Sequence, residues 1–124
     1  MNIPDLITIL RNATLAKKPK IIIKTSKKTL KFLDVLVENK YILAYSPNKN
    51  GKVQIFLDFT HKSNRIVSFH HISKPSKRIY FSCKDLWKFK RSLGLVILNT
   101  SKGIISHKTA LSQNLGGEAL SYIL

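Results

Sequence analysis

Apolar positions at the start of the chain recur on a helical period: Ile3, Leu6, Ile7, Leu10 and Ala13 fall on one face, and Asn2 and Asp5 have capping-box spacing. The pattern predicts a helix that stops near Lys17-Lys18-Pro19, because proline disfavours helix in the residue before it. Lys20-Ile21-Ile22-Ile23-Lys24 reads as a short β-branched strand. Ser26 is placed to cap a second helix with Leu30, Leu33, Leu36 and Val37 turned inward and Phe32 at its edge. Tyr41 to Tyr45 predicts a strand and Pro47-Asn48-Lys49-Asn50-Gly51 a turn. Val53, Ile55, Leu57 and Phe59 then alternate with Lys52, Gln54 and Asp58, as a half-buried hairpin strand requires. The order is α-β-α-β-β, one sheet with two helices covering a face.

Hydrophobicity drops over His61-Lys62-Ser63-Asn64-Arg65. The expected fold class is therefore α+β in two small domains, 1–62 and 63–124. Beyond the boundary, Ile66 to Ile72 and Arg78 to Phe81 read as strands around the turn Ser73-Lys74-Pro75-Ser76-Lys77. Asp85 to Leu93 reads as a short helix ending at Gly94, Leu95 to Thr100 as a buried strand and Gly103 to Ile105 as a brief one. Ser106 can cap a helix over His107 to Asn114, stopped by Gly116-Gly117, and Leu120 to Ile123 closes a sheet. The second half is mostly β with short helices.

Composition changes the picture through charge. An apolar fraction of 44% is ordinary for a folded protein of 124 residues, but 22 Lys and Arg against six Asp and Glu give a formal charge of +16. Such an excess repels itself unless a polyanion neutralises it, so nucleic acid is the leading partner and an anionic membrane surface the weaker one. The basic residues run from Arg11 to Lys108, so folded surfaces rather than a tail carry the charge. Cys83 is the single cysteine, which excludes an intrachain disulfide and a cysteine zinc cluster. No apolar run reaches the ~18–20 residues that span a bilayer, and the N-terminus has neither signal-peptide nor import-presequence character. Abundant Ile, Asn and Lys resemble the coding bias of an AT-rich genome, as organelles often have.

His61, His70, His71 and His107 do not form a metal site, since neighbouring strand residues such as His70 and His71 face opposite ways. Cys83 lacks an identifiable base, and the six acids are not obviously paired for acid–base hydrolysis. Trp87 with Phe89 reads as core or a protein contact. The strand Leu95–Leu98 running into Asn99-Thr100-Ser101-Lys102-Gly103 is the informative feature. Small hydroxyls, a lysine and a glycine after a buried strand can approach a polymer backbone closely, although the same residues also make a plain β-turn.

Several segments, in order, resemble the bacterial and organellar S-eight family of small-subunit ribosomal proteins. Asp5 to Ala13 resembles the opening helix, and Ser26-Lys27 with Leu30 to Ile42 the second helix and following strand. Ile72-Ser73-Lys74-Pro75 with Arg78-Ile79-Tyr80 is similar to the family's Ser-Arg/Lys-Pro segment. Leu93-Gly94-Leu95 through Gly103 resembles its glycine-flanked strand and Ser-Thr-Ser-Lys-Gly loop, and Gly116-Gly117-Glu118 with Ser121-Tyr122-Ile123 its C-terminal end. Asn99 stands in place of the loop's first serine, Ser76 in place of the glycine after the proline, Trp87 where proline is common, and His107-Lys108-Thr109 in place of a more acidic helix start.

The resemblance implies a two-domain, non-catalytic protein without a cofactor or small-molecule substrate. Its partners would be a helical segment in the central domain of small-subunit ribosomal RNA and neighbouring ribosomal proteins, with no membrane. Asn99, Thr100, Ser101, Lys102 and Gly103 would meet the RNA minor groove, with Gly116 and Gly117 letting a second loop sit beside the first. Glu118 could accept from a base amino group or position a lysine; Tyr80 could stack on or bond to the backbone; Lys74, Lys77 and Arg78 face phosphate. Lys17, Lys18 and Lys27, with Lys20 and Lys28, are expected to add contacts that position without specifying. The departures near Trp87 and His107, with the Ile/Lys/Asn bias, lean towards a mitochondrial ribosome over a plastid or bacterial one. Two other classes stay open: a small basic nuclease using His70 or His71 near Lys74, and a non-specific binder of DNA or anionic surfaces.

Overall fold

In a computed structural model of the chain, residues 3–57, 69–74, 76–88 and 94–123 are described. The chain divides into two compact units, Met1–Val67 and Ser68–Leu124. The expected boundary at 62/63, the Asn2 cap, Pro75, Phe59 and Phe89 lie outside the described residues.

The first unit runs α1 (Ile3–Leu15), β1 (Lys20–Lys24), α2 (Lys27–Glu38), β2 (Ala44–Pro47) and β3 (Lys52–Phe56). Helix α1 buries Leu6, Ile7, Leu10 and Ala13, and it packs against α2. It ends where Lys17 turns left-handed at φ 52° and Lys18 N–H reaches back to the Ala13 carbonyl at 3.0 Å. Helix α2 starts at Ser26, whose backbone N–H donates to Thr29 Oγ1 at 2.7 Å. Phe32 is at the centre of its buried face rather than at the edge: it is fully buried, while Leu30 and Val37 are half-buried. The buried face is centred about one residue earlier than the pattern predicts, so that Thr29, Phe32 and Val35 join Leu33 and Leu36 on it.

The three strands form an antiparallel sheet in the order β1-β3-β2. Ile21 pairs with Ile55 and Ile23 with Val53, so these four share the inner face, and Tyr45 joins them opposite Ile55. The Tyr45 hydroxyl donates to Asp34 of α2, a bond that pushes the phenol pKa up to about 12. Strand β2 begins at Ala44, three residues later than the pattern predicts. Termination of α2 occupies the gap: Lys40 is left-handed at φ 62° and Tyr41 N–H bonds the Leu36 carbonyl at 2.9 Å. The β2–β3 turn uses positive φ at Asn50 and Gly51.

The second unit contains β4 (Phe69–His71), β5 (Tyr80–Phe81), α3 (Cys83–Trp87), β6 (Leu95–Thr100), β7 (Gly103–Ser106), α4 (His107–Ser112) and β8 (Gly117–Ile123). Its sheet runs β4-β8-β6-β7, and β5 pairs with β8 beside β4. All pairings are antiparallel. A bulge at Leu120 interrupts β8 between its pairings to Ile97 and Leu98. Leu86, Val96, Leu98, Ala110, Leu111 and Ala119 form one apolar cluster, which sets α3 and α4 on one face of the sheet. Both short helices begin at a serine: Ser82 Oγ accepts from Asp85 N–H, and Ser106 Oγ from Thr109 N–H, each at 3.3 Å.

Boundaries in this unit differ from the sequence reading, beginning with α3, which Ser82 caps so that it starts at Cys83 rather than Asp85. Strand β5 has only two residues, because Ile79 before it is taken up by Ser73 Oγ and by Ala119 N–H. Helix α4 ends at Ser112, with Asn114 left-handed at φ 54° and Leu115 N–H on the Ala110 carbonyl. Asn114, not the glycine pair, thus stops the helix, and β8 begins at Gly117 instead of Leu120. This frees the two glycines for a different task.

Candidate nucleic-acid interface

Strands β6 and β7 form a tight hairpin in which Thr100 faces Gly103 and only Ser101 and Lys102 protrude. The Thr100 hydroxyl donates to the Gly103 carbonyl at 2.9 Å and accepts from Lys102 N–H at 3.2 Å. Gly103 has φ 106°, a conformation that side-chain-bearing residues rarely adopt. Thr100 therefore spends its donor on shaping the turn, and the outward hydroxyl at the tip is that of Ser101. Ser101 and Lys102 are both exposed.

The glycine pair closes against this hairpin. A Cβ on Gly117 would strike the Asn99 carbonyl oxygen and approach the Thr100 methyl at 3.0 Å. One on Gly116 would come within 2.6 Å of the Phe81 carbonyl and 3.0 Å of the Ser82 Cα. The start of β8 is therefore pressed between β6 and the β5–α3 connection, at distances no side chain tolerates. Glu118 follows, with Asn99 as its partner across β6 and Tyr80 across β5. Tyr80, Glu118 and Asn99 make one row on one face of the sheet. Tyr80 is 65% exposed, so its ring is presented outward rather than packed.

Arg78 lies 3.9 Å from the Glu118 carboxylate, with side-chain exposures of 63% and 14% respectively. At that length, and with Arg78 so exposed, the pair is a weak surface contact, and most guanidinium donors remain directed to solvent. Lys74 and Lys77 flank a turn closed by reciprocal backbone bonds at 2.9 and 3.0 Å. Ser73 clamps the base of that turn: its Oγ accepts from Ile79 N–H at 2.9 Å and donates to the Ile79 carbonyl at 3.3 Å. Nothing in the pattern marks Ser73 as more than a turn residue; its role needs the pairing of 72–79 along β8. Lys74, Lys77 and Arg78 are all exposed.

The second unit thus brings together Asn99 to Gly103, Gly116 to Glu118, Tyr80, Arg78, Lys74 and Lys77. Lys17, Lys18 and Lys27 belong to the first unit, where all three are exposed: Lys17 and Lys18 follow α1 and Lys27 opens α2.

Of the four histidines, His61 lies outside the described residues and the other three lie elsewhere. His70 is exposed and stacks with Tyr122, ring centroids 6.4 Å apart, whereas His71 is on the other face of β4. His107 is completely buried, and its Nδ1 accepts Val96 N–H at 3.1 Å. Burial, with a smaller contribution from the Lys108 charge, pushes its pKa below the ordinary value of 6.5. The amide can donate only to an unprotonated Nδ1, so the folded imidazole is neutral. This buried acceptor for the central strand was not visible in a sequence where His107 read as an altered helix start. Among the described residues, no group of three or more His, Cys, Asp or Glu could hold a metal ion. No described helix is long and apolar enough to cross a membrane.

The chain is similar to small ribosomal subunit protein uS8 of Acholeplasma laidlawii, with 36% identity covering 98% of this chain and 95% of the relative. It is 35% identical to that of Lactobacillus johnsonii over the same shares, and 38% identical to that of Bartonella bacilliformis over 94% of this chain and 91% of the relative. The Ribosomal protein S8 family matches residues 2–124, so the chain belongs to that family.

Proposed function

We propose that this protein is a non-catalytic, RNA-binding constituent of the small ribosomal subunit, supporting its assembly through a helical segment in the central domain of the ribosomal RNA. The observation that carries the reading is the seating of Gly117 against Asn99 and Thr100. It joins the β6–β7 turn, Glu118 and Tyr80 into one edge, with no side chain at Gly117 to hold β8 away from the turn. Double-helical RNA offers its 2′-hydroxyls and base edges in a wide, shallow minor groove, and such an edge can enter it. Ser101 supplies a hydroxyl that both donates and accepts, and Glu118 an acceptor for a base amino group. Lys102 meets phosphate as a point charge with no strict geometry. Arg78, Lys74 and Lys77 contact the backbone beside the groove, and Lys17, Lys18 and Lys27 add contacts from the first unit. Neighbouring ribosomal proteins are the other partners.

The ribosome concerned is bacterial in this reading. The compositional lean towards a mitochondrion has no support from relatives in Acholeplasma, Lactobacillus and Bartonella, and an Ile/Lys/Asn bias suits a bacterium equally.

Replacing Ser101→Ala together with Lys102→Ala tests the site. Loss of one hydroxyl contact and one charge-assisted contact is expected to weaken binding to a central-domain RNA fragment about tenfold or more, with the thermal midpoint unchanged. The wild-type protein should also prefer that RNA helix over the equivalent DNA duplex in competition. Unchanged affinity in the variant at physiological salt, or equal binding of DNA and RNA, contradicts the assignment.

A further inference from the structure

The second unit's edge carries few of the protein's basic residues, and the outer face of the first unit's sheet carries others in a defined array. Alternation along β1 turns Lys20, Ile22 and Lys24 outward, away from the inner face of Ile21 and Ile23. Their cross-strand partners are Phe56, Gln54 and Lys52, followed on β2 by Ala44 and Ser46. None of the three strands contains an acidic residue, and the three lysines are exposed. Ile22, at the centre, is 52% exposed, so the middle of the face is open rather than packed.

Lys24 and Lys52 are direct cross-strand partners, an arrangement that places like charges side by side and disfavours the free protein. An anion between them reverses the sign of that interaction. Lys20 stands four residues from Lys24, about 13 Å along the strand, so one small anion cannot serve both ends. A polymer with closely spaced phosphates can.

We propose that this outer face, through Lys20, Lys24 and Lys52, is a second contact surface for the phosphate backbone of RNA. The proposal takes its ligand from the RNA-binding reading above and extends it to Lys24 and Lys52, which that reading leaves unused, joining them with Lys20 in one array. The contacts are to phosphate alone: lysines meet it as point charges, and Ile22, Ala44 and Ser46 offer nothing that reads a base edge closely.

The test uses the full chain and deproteinised small-subunit ribosomal RNA, titrated from 50 to 200 mM salt. The variant Lys20→Gln/Lys24→Gln/Lys52→Gln is compared with an equal-charge control, Lys31→Gln/Lys84→Gln/Lys108→Gln. Losing three phosphate contacts should lower the log–log salt slope by about 2–3 in the first variant, with less change in the control. The RNA-over-DNA preference should persist in both. An unchanged slope, or an equal change in the control, overturns the proposal while leaving the minor-groove edge standing. Loss of RNA preference already in the wild type instead removes the reading on which it rests. Acylation of the wild-type lysines gives a second readout that does not depend on a variant folding: bound RNA should protect Lys20, Lys24 and Lys52. Protection in the assembled subunit but not by RNA alone assigns the face to a protein neighbour and likewise overturns the proposal.

Discussion

The outer face of β1-β3-β2 and the corner where β6, β7 and β8 meet are both surfaces of antiparallel sheets, yet they are built from opposite materials. The first is an open face with lysines at its ends and an exposed isoleucine in its middle. The second is a corner where glycines press against backbone and a threonine hydroxyl is used up in holding a turn. The glycines make the contrast concrete. Gly51, in the first sheet's turn, has nothing within 4 Å of where a Cβ would be and is constrained only by φ 71°, whereas Gly117 has no room at all. A surface of the first kind tolerates substitution and acts through summed charge. One of the second kind acts through shape and fails when its backbone spacing changes.

That difference is broken most directly at Gly117. Gly117→Val places a branched side chain against the Asn99 carbonyl, and backbone in the middle of a paired sheet cannot step aside cheaply. Overpacking of this kind costs about 1–3 kcal/mol, which lowers the thermal midpoint of a domain this size by several degrees or more. RNA binding should fall with it, because β6 and β8 no longer hold the turn and Glu118 together. Gln54→Val, on the outer face of the first sheet, should leave both within error. Paired thermal melts and titrations check this; equal effects at the two sites would erase the distinction between them.

His107 sharpens the comparison by a different route, since among the described residues only the second unit has a histidine hydrogen-bonded to its central strand. Its depressed pKa means the unfolded chain takes up a proton before the folded one does. Stability is therefore full above the ordinary value of 6.5 and is lost as pH falls from there through the lower folded value. The limiting slope for one such group is about 1.4 kcal/mol per pH unit. His107→Asn keeps an acceptor, Oδ1, close to the place of Nδ1 opposite Val96 N–H and cannot titrate, so its stability should be flatter between pH 7 and 5. Denaturant unfolding across that range measures the effect, and parallel slopes in the two proteins would assign the acid sensitivity elsewhere.

These sites also show what was legible in the sequence. Element order, a sheet in each half and the inward faces of α1 and β3 follow from periodicity, because burial of one face dictates where apolar residues recur; that both sheets are antiparallel throughout came only with the pairings. The hairpin tip was legible for a similar local reason: Thr100 to Gly103 contains its own turn chemistry. What could not be read depends on long-range pairing. The glycine pair was given two tasks, stopping α4 and letting a second loop approach the hairpin; Asn114, a residue that also adopts the left-handed conformation readily, takes the first and leaves the glycines the close approach. Phe32 looked peripheral, yet in the folded unit α2 buries it completely. The Thr100 hydroxyl looked available for RNA until the carbonyl of Gly103 was placed beside it. Residue type foretold the chemistry at this corner, but only the register of β6 on β8 told which atoms were already taken.

The smallest effect falls on the open face and concerns one lysine. Lys24 and Lys52 stand directly opposite each other, and like charges so placed cost a few tenths of a kcal/mol in the free protein. Lys24→Gln should therefore raise the denaturation midpoint slightly at low salt and lose that gain as added salt screens the pair. The same change should weaken RNA binding and lower the salt slope by about 0.9, the share of one phosphate contact. Stability and affinity thus move in opposite directions at Lys24, while at Gly117 they fall together. That divergence is the signature of a surface arranged for a polyanion and paying for it in the free state, and denaturation in 20 and 200 mM salt, set beside RNA titration of the same samples, measures it. A Lys24→Gln protein less stable than wild type at low salt would mean that the lysine pair is held apart or neutralised within the fold.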